Sequence, residues 1–300
     1  MYRLRFIAAL SIALLLSACA TPMRVSLTPE QRSKITELTA HVVVVQDEVI
    51  AAVQPSNAAS IALGGGLIGA VIDSKVTNNR VNNSQQLLGP FYAAVEDVDY
   101  RKEFNDAMAQ GLAGYSIKVG KITTTPRSLT SKTLSRLRDE LAPGQALLII
   151  IPRYTLTMDF RSFDSESTVS IWVKSDGTNP LAPSQRGVLH YQSAPVGPGG
   201  KESLALWAAQ NGAKFRDVTR ESISETVRMV MLDIEVAAEP SARTEDLKSF
   251  PYNTGASMST VQGQVLKASD TRTILLGADK KLYSLPNSAS GTRAATVAQQ

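Results

Sequence analysis

The sequence predicts an α+β fold in which helices cover an antiparallel sheet, followed by a small C-terminal β-meander module. Three patterns favour this class. Residues 147–161 begin as a continuous apolar run and then alternate apolar with polar side chains, which is typical of a strand. Residues 215–236 carry apolar side chains every three or four positions, which indicates an amphipathic helix. Three short strand-like runs with turns between them lie within residues 258–287.

The elements before the long strand are also predicted by periodicity. The β-branched stretches His41–Val45 and 48–53 predict two strands that could pair as a hairpin, and residues 116–124 predict a third strand. Residues 91–112 and 129–141 suit helices because their apolar side chains recur with helical spacing.

The middle of the chain predicts a three-stranded antiparallel meander. Its strands are residues 147–161, the stretch that begins at Ser167, and residues 186–193. A short helix over 204–210 then precedes the long one. The predicted divisions of the chain are a signal peptide (1–18), a lipidated tether (19–39), an α+β domain (40–240), a linker (241–257), a β module (258–287) and a disordered tail (288–300).

The first twenty residues have the composition of a secretory signal peptide. Arg3 and Arg5 precede an apolar core from Phe6 to Leu16, and small residues follow it. This core is too short to span a bilayer. The sequence therefore predicts export and removal of this segment.

The motif Leu16-Ser17-Ala18-Cys19 resembles the lipobox of Gram-negative envelope lipoproteins. The resemblance implies cleavage before Cys19, a diacylglycerol on its sulfur and an acyl chain on its new amino group. Several acyl chains hold a protein firmly to a bilayer. Ala20 replaces the aspartate that would imply inner-membrane retention, so the expected location is the outer membrane, facing the periplasm.

Charge and cysteine content limit the other partners. The signal peptide takes two of the 31 Lys and Arg residues and none of the 27 Asp and Glu residues, which leaves 29 against 27. This balance gives little reason to expect nucleic acid as a partner. Cys19 is the only cysteine, so no intramolecular disulfide can form.

A glycine-rich apolar stretch, residues 58–73, has several interpretations. Its fifteen uncharged residues, 58–72, would span about 22 Å as a helix, which is short of the roughly 30 Å of a bilayer core. Gly64, Gly66 and Gly69 match a GxGxxG phosphate-binding loop, but no convincing strand precedes them.

The remaining interpretation is a helix built for close packing. Gly65 and Gly69 form GxxxG, and with Gly66 they would give a smooth face for another backbone. That face could pack inside the domain, between copies of the chain, or at the membrane beside the anchor. The stretch resembles glycine-zipper segments of bacterial envelope lipoproteins.

Most of the usual catalytic constellations are absent from the sequence. His41 and His190 are the only histidines and lie far apart, with no HExxH, GxSxG or GxxxxGK[ST] pattern in the chain. The acidic groups at 96–99 and at 159–166 are interpreted as solvated helix and strand faces. We expect no enzyme activity, no cofactor and no metal.

The expected function is therefore an interaction or scaffolding role in the cell envelope, with the membrane and other envelope proteins as partners. One alternative is a homo-oligomeric accessory lipoprotein of an export or pore assembly, formed through the glycine-rich helix. Another is a ligand-binding or hydrolytic envelope protein whose site has no sequence motif.

Overall fold

The computed structural model describes residues 24–46, 49–51, 88–112, 115, 117–174, 182–235 and 247–287. The strands are β1 (Glu37–Val43), β2 (Ile50–Ala51), β3 (Lys118–Thr125), β4 (Gln145–Leu156), β5 (Phe163–Val173), β6 (Gln185–Gln192), β7 (Lys248–Asn253), β8 (Met258–Ala268), β9 (Arg272–Gly277) and β10 (Leu282–Pro286). The helices in these ranges are α1 (Pro29–Ser33), α2 (88–95), α3 (Tyr100–Leu112), α4 (Ser131–Asp139) and α5 (Gly200–Glu235).

The strands form one mixed sheet in the order β3-β1-β4-β5-β6-β10-β9-β8-β7, with β2 beside the end of β4. Most of the sheet is antiparallel and helices pack on it, which confirms the predicted α+β class. The predicted meander is confirmed as β4-β5-β6, in which β4 and β5 pair continuously from Ala146↔Val173 to Leu156↔Phe163.

The N-terminal strands differ from the prediction because they are parallel. β1 lies between β3 and β4 and runs parallel to both, so both of its edges are occupied. β2 pairs in parallel with the end of β4 instead of with β1. The predicted hairpin is therefore wrong. The two parallel neighbours of β1 are reached by crossover connections that contain helices, as parallel pairing requires.

Helices cover both faces of this part of the sheet. α3 packs against α5 on one face, where Phe104, Met108 and Leu112 are buried in the main core. α4 lies on the other face, where Leu134 and Leu137 pack against a small cluster of residues on the sheet and its neighbouring loops. The members of that cluster are Val43, Leu141, Leu147, Ile149 and Trp172. The helical spacing predicted for both segments is confirmed.

α5 contains a break where two separate helices were predicted. Backbone angles are non-helical from Ala209 to Gly212, and Gly212 has φ +70°. A β-carbon at Gly212 would lie 2.8 Å from Val95 Cγ1 and 2.9 Å from the carbonyl oxygen of Ala94. Only glycine satisfies both the left-handed conformation and this close approach to α2.

The C-terminal strands form the predicted meander and extend the main sheet. β7, β8, β9 and β10 pair antiparallel in sequence, and β10 then pairs in parallel with β6. β7 occupies Lys248–Asn253, so this part of the predicted linker is a strand. Phe250 and Tyr252 of β7 pack on a small core of Leu275, Tyr283 and Leu285, which explains why the segment is ordered.

Candidate functional site

The first described residues form an N-terminal strap, residues 24–35, across one end of the sheet. Val25 exchanges two backbone hydrogen bonds of 2.9 Å with Arg186 at the start of β6. β10 pairs with β6 only from Leu189 onward, so Val25 completes the edge of β6 that β10 does not reach. Leu27 and Ile35 of the strap are buried in the main core. The prediction of a tether over 19–39 is therefore wrong from residue 24 onward, because apolar burial and strand pairing hold these residues.

A buried ion pair fastens the strap to α5. The Arg24 guanidinium donates a hydrogen bond to the carboxylate of Asp233, and each side chain is 2% exposed. The amide of Gln185 donates to the other carboxylate oxygen. Burial raises the pKa of Asp233, although Arg24 and Gln185 oppose that shift. Arg24 and Gln185 therefore favour the ionised form of a carboxyl group that burial drives towards the neutral form.

Helix α1 supports the strap with a complete capping box. Thr28 Oγ1 accepts a 3.1 Å hydrogen bond from the backbone N–H of Gln31, and Gln31 Oε1 accepts a 3.0 Å bond from the backbone N–H of Thr28. Pro29 occupies the first helical position, where its fixed φ suits the helix and no backbone N–H is needed. Arg32 donates to the carbonyl oxygen of Glu235, which supplies a cation at the C-terminus of α5.

A cleft of about 350 Å³ lies beside the end of β4. Its wall includes the rings of Tyr100 and Tyr154, which stack with their centroids 4.0 Å apart. The Tyr100 hydroxyl lies 3.3 Å from Ser222 Oγ, below the cleft. The chain leaves the described structure at Ala51, beside the end of β4, and returns at Leu88 in the main core. The cleft therefore borders the places where residues 52–87 join the domain.

A cluster of charged and aromatic side chains surrounds His190 on the sheet face opposite α5. Asp164 and Glu166 project from β5 on the same side, and Glu166 is directly opposite His190 in the β5–β6 register. The imidazole nitrogens lie 3.6 Å from Asp164 Oδ1 and 3.9 Å from Glu166 Oε2. Tyr252 Oη lies 3.1 Å from His190 Nε2, and Lys281 Nζ lies 2.8 Å from Glu166 Oε2.

The electrostatics of this cluster favour a charged imidazolium. Burial lowers the pKa of His190, but the carboxylates of Asp164 and Glu166 together outweigh that effect and raise the pKa to about 9. The interaction with His190 lowers the pKa of Glu166 to about 2, with burial opposing the shift and Lys281 adding to it. A protonated imidazole has no lone pair with which to act as a general base. Ion pairs link β5 and β6 to Lys281, the residue before β10, and the hydrogen bond of Tyr252 adds β7.

The sequence predicts a solvated strand face for these carboxylates. Asp164 and Glu166 are two positions apart, and because side chains alternate along a strand, the sequence predicts that both lie on one face. Their pairing with His190 depends on the β5–β6 register, which the sequence does not specify. His41 lies elsewhere, and burial followed by the charge of Lys121 lowers its pKa.

The predicted site residues themselves lie outside the described part of the chain. Cys19 precedes the strap, and Gly65, Gly66 and Gly69 fall within residues 52–87. None of the helices in the described ranges combines the length and the apolar character needed to cross a bilayer. In those same ranges, no group of three or more His, Cys, Asp or Glu side chains is arranged to hold a metal ion.

Comparisons with known proteins add little to this description. No family model matches the chain, and no curated protein matches it. Among solved structures, the chain is similar to a crystal structure of a Xanthomonas campestris protein assigned to family DUF330. The sequence identity is 14%, the TM-score is 0.24, and the alignment covers 72% of this chain and 100% of the other. A TM-score this low carries no argument about fold or function.

Proposed function

We propose that this protein is a lipoprotein of the outer membrane, held by lipid on Cys19 and facing the periplasm, with a non-enzymatic interaction or scaffolding role in the cell envelope. The observation that carries the proposal is the Leu16-Ser17-Ala18-Cys19 motif after an apolar, positively flanked leader. Arg24, the fifth residue after the proposed attachment site, is buried in the fold.

The described polar clusters support a structural use of their ionisable groups. Asp233 is engaged by Arg24 and Gln185, and Glu166 is engaged by His190 and Lys281. Each acid has a basic or amide partner within the fold. Lipid attachment confines such a domain to two dimensions, which raises its effective concentration near other anchored proteins and lets small interfaces suffice.

The anchoring part of the proposal is tested by lipid labelling in cells. The wild-type chain should incorporate radioactive palmitate, fractionate with the outer membrane and yield a mature N-terminus at Cys19 by mass spectrometry. Cys19→Ala should lose the label and the membrane association, whereas Ser17→Ala serves as a matched control that leaves the acceptor sulfur in place. A mature chain that begins elsewhere and carries no lipid would overturn the proposal.

The interaction role is tested by crosslinking in intact cells. Photoreactive residues at exposed positions of the anchored protein should give discrete adducts with other envelope proteins, and Cys19→Ala should reduce their yield. Adducts that form equally well without the anchor would argue against confinement as the basis of the interaction.

Self-association through the glycine-rich stretch is the second candidate, because Gly65 and Gly69 form a GxxxG face in the sequence. Mild-detergent extracts should then contain a defined large oligomer by light scattering. Gly65→Leu and Gly69→Leu should dissolve it, with Gly89→Leu as the control outside the motif, at an exposed glycine whose added β-carbon would contact nothing within 4 Å. A monomeric wild-type protein would eliminate this candidate.

A further inference from the structure

The cleft beside the end of β4 adjoins a second, smaller cavity. The cleft has a volume of about 350 Å³ and the second cavity about 190 Å³. Both are lined by Glu96, Val98, Tyr100 and Tyr154. Sites for small organic molecules in proteins have volumes of this order and mostly apolar walls. The cleft is therefore large enough to hold a compact ligand.

The walls of the cleft are apolar and fixed in place. Among the described residues, its apolar and aromatic lining consists of Val49, Tyr92, Ala93, Val95, Val98, Tyr100, Tyr154 and Phe215. The rings of Tyr100 and Tyr154 stack with 14° between their planes. The Tyr100 hydroxyl lies within hydrogen-bonding distance of Ser165 and Ser222, so packing and hydrogen bonds together hold this stack. A ligand with an apolar body gains free energy by leaving water for such walls.

The tyrosine hydroxyls at the cleft can offer a ligand only hydrogen-bond acceptors. The Tyr92 hydroxyl donates to the carbonyl oxygen of Val49 at 3.0 Å. The Tyr154 hydroxyl donates to the carbonyl oxygen of Gln46 at 3.3 Å. Because a hydroxyl has a single hydrogen, each of these oxygens can form a further hydrogen bond only as an acceptor. A ligand that binds them must therefore be a donor.

The charged groups at the mouth of the cleft are mainly acidic. Glu96, Asp97 and Asp99 line the two cavities, and Arg101 is the basic side chain that does so among the described residues. Asp97 is paired with Arg216, and Asp99 accepts hydrogen bonds from two backbone N–H groups at the start of α3. Glu96 is exposed and has no hydrogen bond or ion pair with any residue of the described ranges. The carboxylate of Glu96 is therefore available to a cation.

We propose that the cleft binds a small organic ammonium ion with an apolar body, whose charged group lies at Glu96 and whose body packs against the stacked tyrosines. Charge complementarity supports this occupant. An anion would meet more carboxylates than cations, and a neutral apolar molecule would cover Glu96 without giving it a partner. The site is independent of lipidation at Cys19 and adds a ligand to the proposed scaffolding role.

The first part of the test compares matched ligands on the unchanged protein. The full mature chain is held in phosphatidylcholine nanodiscs, whose lipid has no net charge, and ligand-observed NMR titrations are recorded at neutral pH with empty nanodiscs as the blank. Phenethylammonium is the probe. Phenethyl alcohol keeps the ring but has no charge, hydrocinnamate reverses the charge, and ethylammonium lacks the ring.

Phenethylammonium should bind about fivefold or more tightly than each of the other three compounds, as expected for one partly exposed ion pair or for loss of the ring contacts. Equal affinity for phenethyl alcohol would overturn the assignment of a cation. Absence of saturable binding by phenethylammonium would overturn the site itself. Tighter binding of a lysyl-phenylalanine peptide would assign the cleft to a polypeptide partner and overturn the small-molecule assignment.

The second part of the test uses variants at exposed positions, where the fold is not at risk. Glu96→Gln keeps the shape of the side chain and removes its charge, whereas Glu202→Gln is the matched control at an exposed acid that lines neither cavity. Glu96→Gln should weaken the binding of phenethylammonium about fivefold, and Glu202→Gln should leave it unchanged. Ala93→Phe adds a ring to the cleft wall and should abolish binding. Equal affinities of the two Gln variants, or full binding by Ala93→Phe, would overturn the proposed site.

Discussion

Replacing Arg24 by methionine should destabilise the fold in a strongly pH-dependent way. Arg24 and Asp233 are each 2% exposed, so the substitution leaves a carboxylate buried with the amide of Gln185 but without its cation. Removing one partner of a buried ion pair costs about 3–5 kcal/mol in the free energy of unfolding. The aliphatic part of the side chain is roughly conserved, so the loss is mainly electrostatic.

The pH dependence follows from the pKa of Asp233. Burial raises that pKa above the usual value of an aspartate side chain, and loss of Arg24 removes a group that opposes the shift. If the carboxyl is protonated in the folded variant, taking up that proton costs about 1.36 kcal/mol for each pH unit above the usual aspartate pKa. This cost is about 5 kcal/mol at pH 7.5 and about 1.6 kcal/mol at pH 5. The raised folded-state pKa means that stability is lost as pH rises.

Urea unfolding of residues 20–300, followed by the fluorescence of Trp172 and Trp207, measures this directly. A loss of about 3 kcal/mol moves the midpoint by about 1 M for an m value near 3 kcal/mol per M. Arg32→Met is the matched control on the same strap and should cost less than about 1 kcal/mol, because its bond to Glu235 is exposed. Equal losses for the two variants, or a loss for Arg24→Met that does not shrink at pH 5, would refute the reasoning.

Three further outcomes are expected. By NMR, the imidazole of His190 should titrate near pH 9 and that of His41 below pH 6.5. The contribution of His190 to the free energy of unfolding should be complete below about pH 6.5 and lost as the pH rises through 9. Titration of both imidazoles near pH 6.5 would contradict this prediction. Gly212→Ala should destabilise by more than Gly200→Ala in urea melts, because both have positive φ but only Gly212 meets neighbouring atoms. Trp207→Phe should cost about 1–2 kcal/mol by the same assay, since it leaves a buried carbonyl without its 2.7 Å hydrogen bond.

Local sequence patterns were sufficient to predict those helices and strands whose type does not depend on which element they pack against. The helical spacing of Phe104, Met108 and Leu112 is visible in the sequence and recurs as the buried face of α3. The same holds for β4, where continuous apolar residues lie between two neighbouring strands. Such patterns predict a fold class because burial on one face dictates them directly.

Features that depend on contacts with residues distant in the chain could not be predicted from the sequence. The composition of residues 241–257, rich in Ala, Ser, Glu and Pro, predicts a linker, but β7 forms there because its side chains pack on strands that lie later in the chain. The polar composition of residues 21–39, with only scattered apolar residues, predicts a tether, and the burial of Arg24 depends on Asp233, which lies 209 positions later in the chain. The His190 cluster required the β5–β6 register. Each depends on long-range pairing, which sequence periodicity does not encode.

The single parallel contact between β6 and β10 has a practical consequence. Leu282, Tyr283 and Ser284 cover the main-chain groups of β6 from Leu189 to Tyr191. A chain truncated after residue 240 would keep every helix described above but would expose this stretch of backbone. An exposed strand edge can pair with other chains and so promotes aggregation. The C-terminal meander β7–β10 is therefore expected to protect the protein against aggregation. Removing it should cause the protein to aggregate before any loss of helix content is detected.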